Sequence, residues 1–255
     1  MWLRLRQIAL VAHQLEPVLQ DFDAVLGIEP AFRDPGVISF GLENAVMPVG
    51  NQFVEVVAPV RDGTAAGRYL DRRKGDGGYM VITQCDDHPP VKQRVEALGI
   101  RKALEFDHDA YHCLQLHPAD TGGSFLEIDQ QVGGEDIVDG PWEPAGPNWQ
   151  HARRTHVVSG VAAAELQVAE PDKVAARWGE IVAIEPASGA DGHPTLTLEN
   201  ATVRFVPAAD GRGDGLGGID VSAVDADATR AAAEARGLLG ADGVITICGL
   251  RIRLV

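Results

Sequence analysis

Leu42-Glu43-Asn44-Ala45 recurs as Leu198-Glu199-Asn200-Ala201, and Gly27-Ile28-Glu29-Pro30 recurs as Ala183-Ile184-Glu185-Pro186. Both pairs stand at one offset, 156 residues. A fixed internal period marks a tandem duplication and has to be read before any local pattern. Function is then sought in what one half keeps and the other loses.

Each half holds a second, weaker repeat. Val25-Leu26-Gly27-Ile28 resembles Ala97-Leu98-Gly99-Ile100, and each closes a segment of helical spacing. Apolar Val18, Leu19, Phe22, Val25 and Leu26 share one face of a helix predicted over 16–26. A second helix is predicted over 89–98, its prolines tolerated in the first turn. Gly27 and Gly99 then sit where a helix C-cap glycine belongs. Strand-like runs precede these helices at 7–12 and 79–85. After the first helix come β-rich runs at 37–40, 45–49 and 53–57, and after the second at 102–106, 112–116 and 124–128. The unit is β-α-β-β-β, used twice by residue 132.

The second half repeats this plan with a strand at 161–168, a helix at 172–182 and strands at 195–198 and 202–206. A strand at 218–224, a helix at 227–236 and strands at 244–247 and 251–254 follow. Glu96 and Gly99 match Glu234 and Gly237 at an offset of 138, so the second half has lost 18 residues. The loss falls in the part matching 48–75. The reading is an α+β chain of four β-α-β-β-β modules forming two cupped mixed sheets with helices outside. The expected first domain is 1–132, made of modules 1–60 and 76–132 with a basic connector at 61–75. A linker at 133–155 and a degenerate second domain at 156–255 complete it. The linker is rich in Gly, Pro and Trp, and its Trp142 and Trp149 are expected to dock across the domain junction.

At 255 residues, 45% hydrophobic and 23% charged, the composition is that of a folded globular protein. A net charge of −15 argues against nucleic acid, which demands clustered Lys and Arg. The three cysteines, Cys85, Cys113 and Cys248, form no CxxC pair, which suits free thiols in a reducing compartment. The apolar run 8–12 behind Arg4 and Arg6 is short for a signal-peptide core, and no stretch reaches the length of a membrane span. These features predict a cytoplasmic protein with no membrane partner.

Three phrases carry a family resemblance. Gln7-Ile8-Ala9-Leu10-Val11 before Leu15-Glu16-Pro17, Phe53-Val54-Glu55-Val56-Val57-Ala58-Pro59, and Leu116-His117-Pro118-Ala119-Asp120-Thr121-Gly122-Gly123 leading to Leu126-Glu127 are the segments concerned. Together with the modular plan they resemble the vicinal oxygen chelate superfamily, which includes glyoxalase I, bleomycin-resistance proteins, methylmalonyl-CoA epimerase and extradiol dioxygenases. The resemblance implies a divalent metal (Ni, Zn, Mn, Mg or Fe) held by Gln7, Glu55, Glu127 and a residue of the strand predicted at 79–85, Tyr79 or Met80. The family's histidine is missing there, and His117 is the candidate to replace it. An extradiol dioxygenase is disfavoured, because its iron needs two histidines at these positions. In the second half the matching positions read Ala163, Val203 or Arg204, Gly218 and Arg253, none of them a ligand.

The residues add their own argument. Glu55 and Glu127 each interrupt an apolar run, where a carboxylate is costly unless something pairs it. Both are therefore expected to face the cup, where the resemblance implies a carboxylate that moves a proton. Arg68 and Arg72 stand at helical spacing in a basic stretch of an acidic protein, either as a solvated helix face or as an anion clamp. Tyr79 is counted with them as a substrate contact. Three functions stay open: a metal-dependent glyoxalase- or epimerase-like lyase or isomerase on a small oxygenated anion, a metal-free binding protein of the bleomycin-resistance type, or a non-catalytic duplicate. The expected partner is a small molecule, and the expected assembly is a monomeric pseudo-dimer or a homodimer.

Overall fold

The computed structural model describes residues 2–135 and 137–255. The first half runs β1 (Leu3–Val11), α1 (Leu15–Leu26), β2 (Leu42–Val49), β3 (Gln52–Pro59), α2 (Ala65–Arg73), β4 (Gly77–Cys85), α3 (His88–Ala97), β5 (Lys102–His108), β6 (Tyr111–Leu116) and β7 (Phe125–Gln131). The second runs β8 (Val158–Val168), α4 (Pro171–Val182), β9 (Ala187–Ser188), β10 (Pro194–Thr197), β11 (Thr202–Pro207), β12 (Gly215–Ala223), α5 (Ala226–Ala235), β13 (Ile245–Ile247) and β14 (Leu250–Leu254). The strands form two seven-stranded sheets, ordered β2-β3-β1-β4-β7-β6-β5 and β13-β14-β12-β8-β11-β10-β9. Both mix parallel pairs, such as β4–β7 and β8–β11, with antiparallel ones. This is the expected α+β pair of mixed sheets. A helix stands between β3 and β4 but none between β11 and β12, where the second half is shorter. Among the described residues no helix is long and apolar enough to cross a membrane.

The run at 37–40, expected as a strand, belongs to a 3-10 helix over Pro35–Phe40. Pro35 fixes its first turn and the Asp34 carboxylate accepts from the Gly36 N–H, so the local caps override the β-prone side chains. Ile38 and Phe40 are left exposed. An isolated bridge between Phe32 and Val46 is what the first module has beside β2 and β3.

The chain divides into two compact units. One takes the start of β1 up to Gln7, then Tyr79–Pro141 and Ala163–Leu216. Inside it the Asn200 amide brackets Leu5, accepting from its N–H at 2.9 Å and donating to its carbonyl at 3.0 Å. Trp178 of α4 is buried edge-on against Phe205 and donates from Nε1 to the Thr121 carbonyl at 2.8 Å. The other unit takes Ile8–Gly78, Trp142–Ala162 and Gly217–Val255. Here Gln52 brackets Val161 as Asn200 brackets Leu5, α1 packs on α5, and Arg236 pairs with Asp21 at 2.6 Å. Trp142 and Trp149 are fully buried in this second unit, Trp149 edge-on to Phe53 with ring centroids 4.9 Å apart.

The duplicated helix ends show how the copies diverged. After α1, Gly27 takes φ +65° and its N–H caps the Asp23 carbonyl. After α4 the matching residue is Ala183, held at φ +57°. The left-handed region is open to glycine and costs an alanine roughly 1–2 kcal/mol, part of which glycine gives back through its freer unfolded chain. Ala183→Gly is therefore expected to stabilise the protein by about 0.5–1 kcal/mol, read as a rise in the urea midpoint. The reverse change, Gly27→Ala, should destabilise, because the added Cβ also meets Val157 Cγ2 at 2.8 Å. A lowered midpoint for Ala183→Gly would refute the account.

Candidate active site

Phe125-Leu126-Glu127-Ile128-Asp129 forms most of β7, and alternation puts Leu126 and Ile128 on one face and Glu127 and Asp129 on the other. The register pairs Gln115 of β6 and Ile82 of β4 with Glu127, and Gln84 of β4 with Asp129. Gln115 Nε2 donates to Glu127 Oε2 at 2.7 Å and lies 3.3 Å from the Met80 sulfur. Tyr111 donates its hydroxyl to Asp129 Oδ2 at 2.5 Å, and the Leu114 N–H reaches Oδ1 at 3.2 Å. Asp129 is fully buried, whereas Glu127 keeps 7% of its surface exposed. Both members of the pair are buried, Asp129 the more completely.

Burial pushes the Glu127 carboxyl up, opposed by hydrogen bonds from Asp129 and Gln115. Burial pushes Asp129 up further, and the charge of Glu127 adds to it. Two carboxylates this close cannot both ionise in a dry site. The two carboxyl groups therefore share a proton, Asp129 being the more strongly raised of the two. Burial, followed by the neighbouring acidic charges, drives the Tyr111 hydroxyl and the Cys113 thiol upward, so both are neutral.

Of the residues anticipated from the sequence, Glu127 is the member of this cluster. Met80 reaches it through Gln115, whereas Tyr79 packs edge-on against Phe125 and takes Ser124 Oγ on its carbonyl. Gln7 is buried on β1 in the same unit. His117 sits in the loop after β6, where its Nδ1 accepts from the Ala119 N–H at 3.2 Å. Glu55 lies on β3 in the second unit, and its Oε1 accepts from Asn44 at 2.7 Å. Arg68 and Arg72 belong to α2 of that unit: Arg68 donates to the Gly63 carbonyl and Arg72 lies over the Tyr69 ring. Sequence reading missed Asp129, Gln115 and Tyr111, and saw in Cys113 a free thiol only. The signal for Asp129 was available in the alternation of the strand, since it stands two residues after Glu127 and so on the same face.

Cys113, Glu127 and Asp129 each offer a ligand atom within 4.8 Å of the others, the one such cluster among the described residues. One sulfur and two carboxylates suit a borderline ion such as Zn(II) better than Mg(II), which prefers all-oxygen sites. In the second sheet Glu165 is buried in an ion pair with Arg204 at 2.9 Å, a neutralised and structural arrangement.

A family model described as a glyoxalase-like domain matches residues 8–182. The crystal structure of a hypothetical protein from Staphylococcus aureus superposes with a TM-score of 0.66 at 11% identity, covering 99% of this chain and 100% of that one. This likeness shows a shared fold along the whole chain. A Streptomyces coelicolor methylmalonyl-CoA epimerase variant in complex with 2-nitronate-propionyl-CoA gives a TM-score of 0.47 at 18% identity, over 52% of this chain and 97% of that one. The Mycobacterium tuberculosis methylmalonyl-CoA epimerase gives 0.44 at 19%, over 50% and 87%. No functionally curated protein matches the chain.

Proposed function

The chain belongs to the glyoxalase-like domain family, and from that membership we propose that it is a glyoxalase- or epimerase-like enzyme moving a proton on a small oxygenated acid. The observation that carries this is the Glu127–Asp129 pair, two buried carboxyl groups on one face of β7 close enough to share a proton. In this reading Glu127 is the ionised member of the pair and takes a proton from a carbon beside a carbonyl group. The C–H electron pair moves onto the carbonyl oxygen as an enolate. Return of the proton from Glu127 to the neighbouring carbon gives the isomer; delivery of a solvent proton to the other face gives the epimer, Glu127 releasing the proton it took to solvent; no net oxidation occurs. Neutral Asp129 holds the Glu127 carboxylate by a hydrogen bond, and Gln115 Nε2 fixes the other partner of that group. A positioned acid–base group of this kind contributes typically about 10²–10⁴-fold.

A divalent ion is the family's usual companion in this chemistry, and Cys113, Glu127 and Asp129 are the residues here that would hold it. Such an ion supplies Lewis-acid stabilisation of a developing oxyanion. Because its ligands must deprotonate, uptake should release protons and sharpen as pH rises. A second reading, a metal-free sequestering protein, draws on Tyr79 or Met80 standing where the resemblance implies a histidine and on the hydrogen bonds that already satisfy Glu127 and Asp129.

The test is deuterium uptake from D₂O into small 2-oxo acids, 2-hydroxy acids and acyl thioesters, followed by NMR, beside elemental analysis after dialysis against Zn, Ni, Mn, Mg and Fe(II). We expect exchange on at least one compound class, falling about a hundredfold or more in Glu127→Gln with the fold retained. Exchange that survives Glu127→Gln unchanged removes the pair from the chemistry. Ligand-induced stabilisation with no exchange in the wild type selects the sequestering protein instead.

A further inference from the structure

Strand β6 holds both members of the acid pair. Gln115 stands opposite Glu127 and donates to it at 2.7 Å. Tyr111, on the same face of β6, stands opposite Gln131, and its ring reaches diagonally across the strands to Asp129. The Tyr111 hydroxyl donates to Asp129 Oδ2 at 2.5 Å and the Leu114 N–H to Oδ1 at 3.2 Å. A donor on each oxygen fixes the rotation of the Asp129 carboxyl group. Asp129 is in turn hydrogen-bonded to Glu127. The contacts therefore run without a break from Tyr111 through Asp129 and Glu127 to Gln115. Tyr111, Asp129 and Glu127 are all buried. A core tyrosine needs less than this. Tyr69, likewise buried, donates to the Gly78 backbone carbonyl at 2.7 Å. Tyr111 is matched instead with a carboxyl group that is itself costly to bury. Apolar side chains of similar shape at both positions would pack without that cost. A buried polar network with its members satisfied rigidifies the groups it contains.

We propose that Tyr111 is the positioning residue of the acid pair: through Asp129, its hydroxyl holds the Glu127 carboxyl group in the orientation from which it meets substrate. The inference rests on the reading of Glu127 as the group that moves the proton. The role of Tyr111 is geometric, and the proton still passes between substrate and Glu127. Without the hydroxyl, Asp129 keeps the Leu114 N–H on one oxygen and loses the donor that fixes the other. Its carboxyl group then turns about the Cβ–Cγ bond, and the contact it makes with Glu127 loosens. Gln115 alone leaves Glu127 free to pivot about Oε2. Misplacing a reacting group by about 1 Å can cost on the order of a hundredfold in rate. Substrate affinity is spared, because the hydroxyl is spent on Asp129 and not on the ligand.

The experiment compares the full-chain wild type with Tyr111→Phe, which keeps the ring beside Phe106 and deletes the hydroxyl. One readout is the side-chain amide signal of Gln115 in ¹⁵N-labelled protein, assigned by its absence from Gln115→Met. The other is kcat and KM for deuterium exchange on the compound class that the wild type turns over. We expect the Gln115 amide to shift, and kcat to fall by about tenfold or more while KM stays within about twofold of wild type. Tyr69→Phe, which deletes a buried hydroxyl elsewhere, should leave both readouts unchanged. Growth on 3-fluorotyrosine replaces all three tyrosines and strengthens each hydroxyl as a donor, so it carries the test if Tyr111→Phe does not fold. There too the Gln115 amide should move. An unmoved Gln115 amide overturns the proposal, and so does a change in Tyr111→Phe that falls on KM and leaves kcat intact. An equal fall of kcat in Tyr69→Phe overturns it as well, the effect then belonging to any buried hydroxyl. A wild type that exchanges nothing removes the reading of Glu127 instead, and the amide signal still decides whether Tyr111 positions the pair.

Discussion

Replacing Trp178 with alanine is expected to destabilise the protein by about 3–5 kcal/mol, enough to unfold a marginally stable unit at ambient temperature. The indole is fully buried on the apolar face of α4 with Ala175, Ile181 and Val182, and meets Phe205 at a centroid distance of 5.6 Å. Its removal leaves a cavity and orphans the Thr121 carbonyl, which takes the Nε1–H at 2.8 Å. The loop holding that carbonyl cannot follow α4 inward freely. A Cβ on Gly122 would meet Val174 Cγ1 at 2.7 Å, so loop and helix already touch. Trp178→Phe keeps most of the volume and loses the hydrogen bond, and should cost only about 1–3 kcal/mol. Urea unfolding of both variants separates the two terms. A loss below about 1 kcal/mol for the alanine variant would show that the site collapses and that this packing matters little.

The second large effect is a dependence of stability on pH that runs against the usual acid denaturation. Asp129 has its carboxyl raised well above the ordinary range by burial and by Glu127, so on folding it takes up a proton that the unfolded chain does not hold. The contribution is fully present below the unfolded carboxylate value near 4 and is lost as pH rises toward the folded value. Within that window stability falls by up to about 1.4 kcal/mol per pH unit, or about 3 kcal/mol over two units. Asp129→Asn keeps the shape and removes the titration, so wild type minus variant isolates the slope. His88 works in the other direction, because burial lowers its imidazole, and it cancels in that difference. Asp120 is held low by Arg101, and its contribution disappears only as pH falls below the ordinary range, a separate window. Urea midpoints at several pH values from 4.5 to 7 give the answer. A wild-type-minus-variant difference that stays flat would mean that Asp129 is ionised in the folded protein.

Much of the architecture was legible because it is written as periodicity. Helix α1 shows its buried face at Val18, Leu19, Phe22, Val25 and Leu26, and Gly27 marks its end in sequence as in space. The 37–40 run misled because its apolar residues are β-prone, while Pro35 and the Asp34 cap decide the backbone. The active-site candidate was half legible. Glu127 stood out as a carboxylate in an apolar run, and alternation along the same strand puts Asp129 beside it, but its anchor Gln115 depends on strand register, which no local pattern reveals. The repeated Leu-Glu-Asn-Ala shows the same limit. Asn200 brackets the Leu5 backbone, whereas Asn44 serves the Asp34 N–H and the Glu55 carboxylate. Identical words have come to do different work, because duplication copies residues and not their neighbours.

The pairing of α1 with α5 also sets a timetable for the ribosome. Asp21 waits for Arg236, and the Val11 carbonyl for Cys248. At a synthesis rate of roughly 5–20 residues per second, the first helix would emerge some tens of seconds, or on the order of ten at the fastest, before the last one. During that interval its apolar stripe has no partner from its own unit's C-terminal part. Contacts so far apart in sequence also slow the final closure. Nascent chains of this protein should therefore bind a trigger-type chaperone early and keep it until almost the last residue is added, and truncation just before α5 should leave a product that aggregates rather than a shorter folded one.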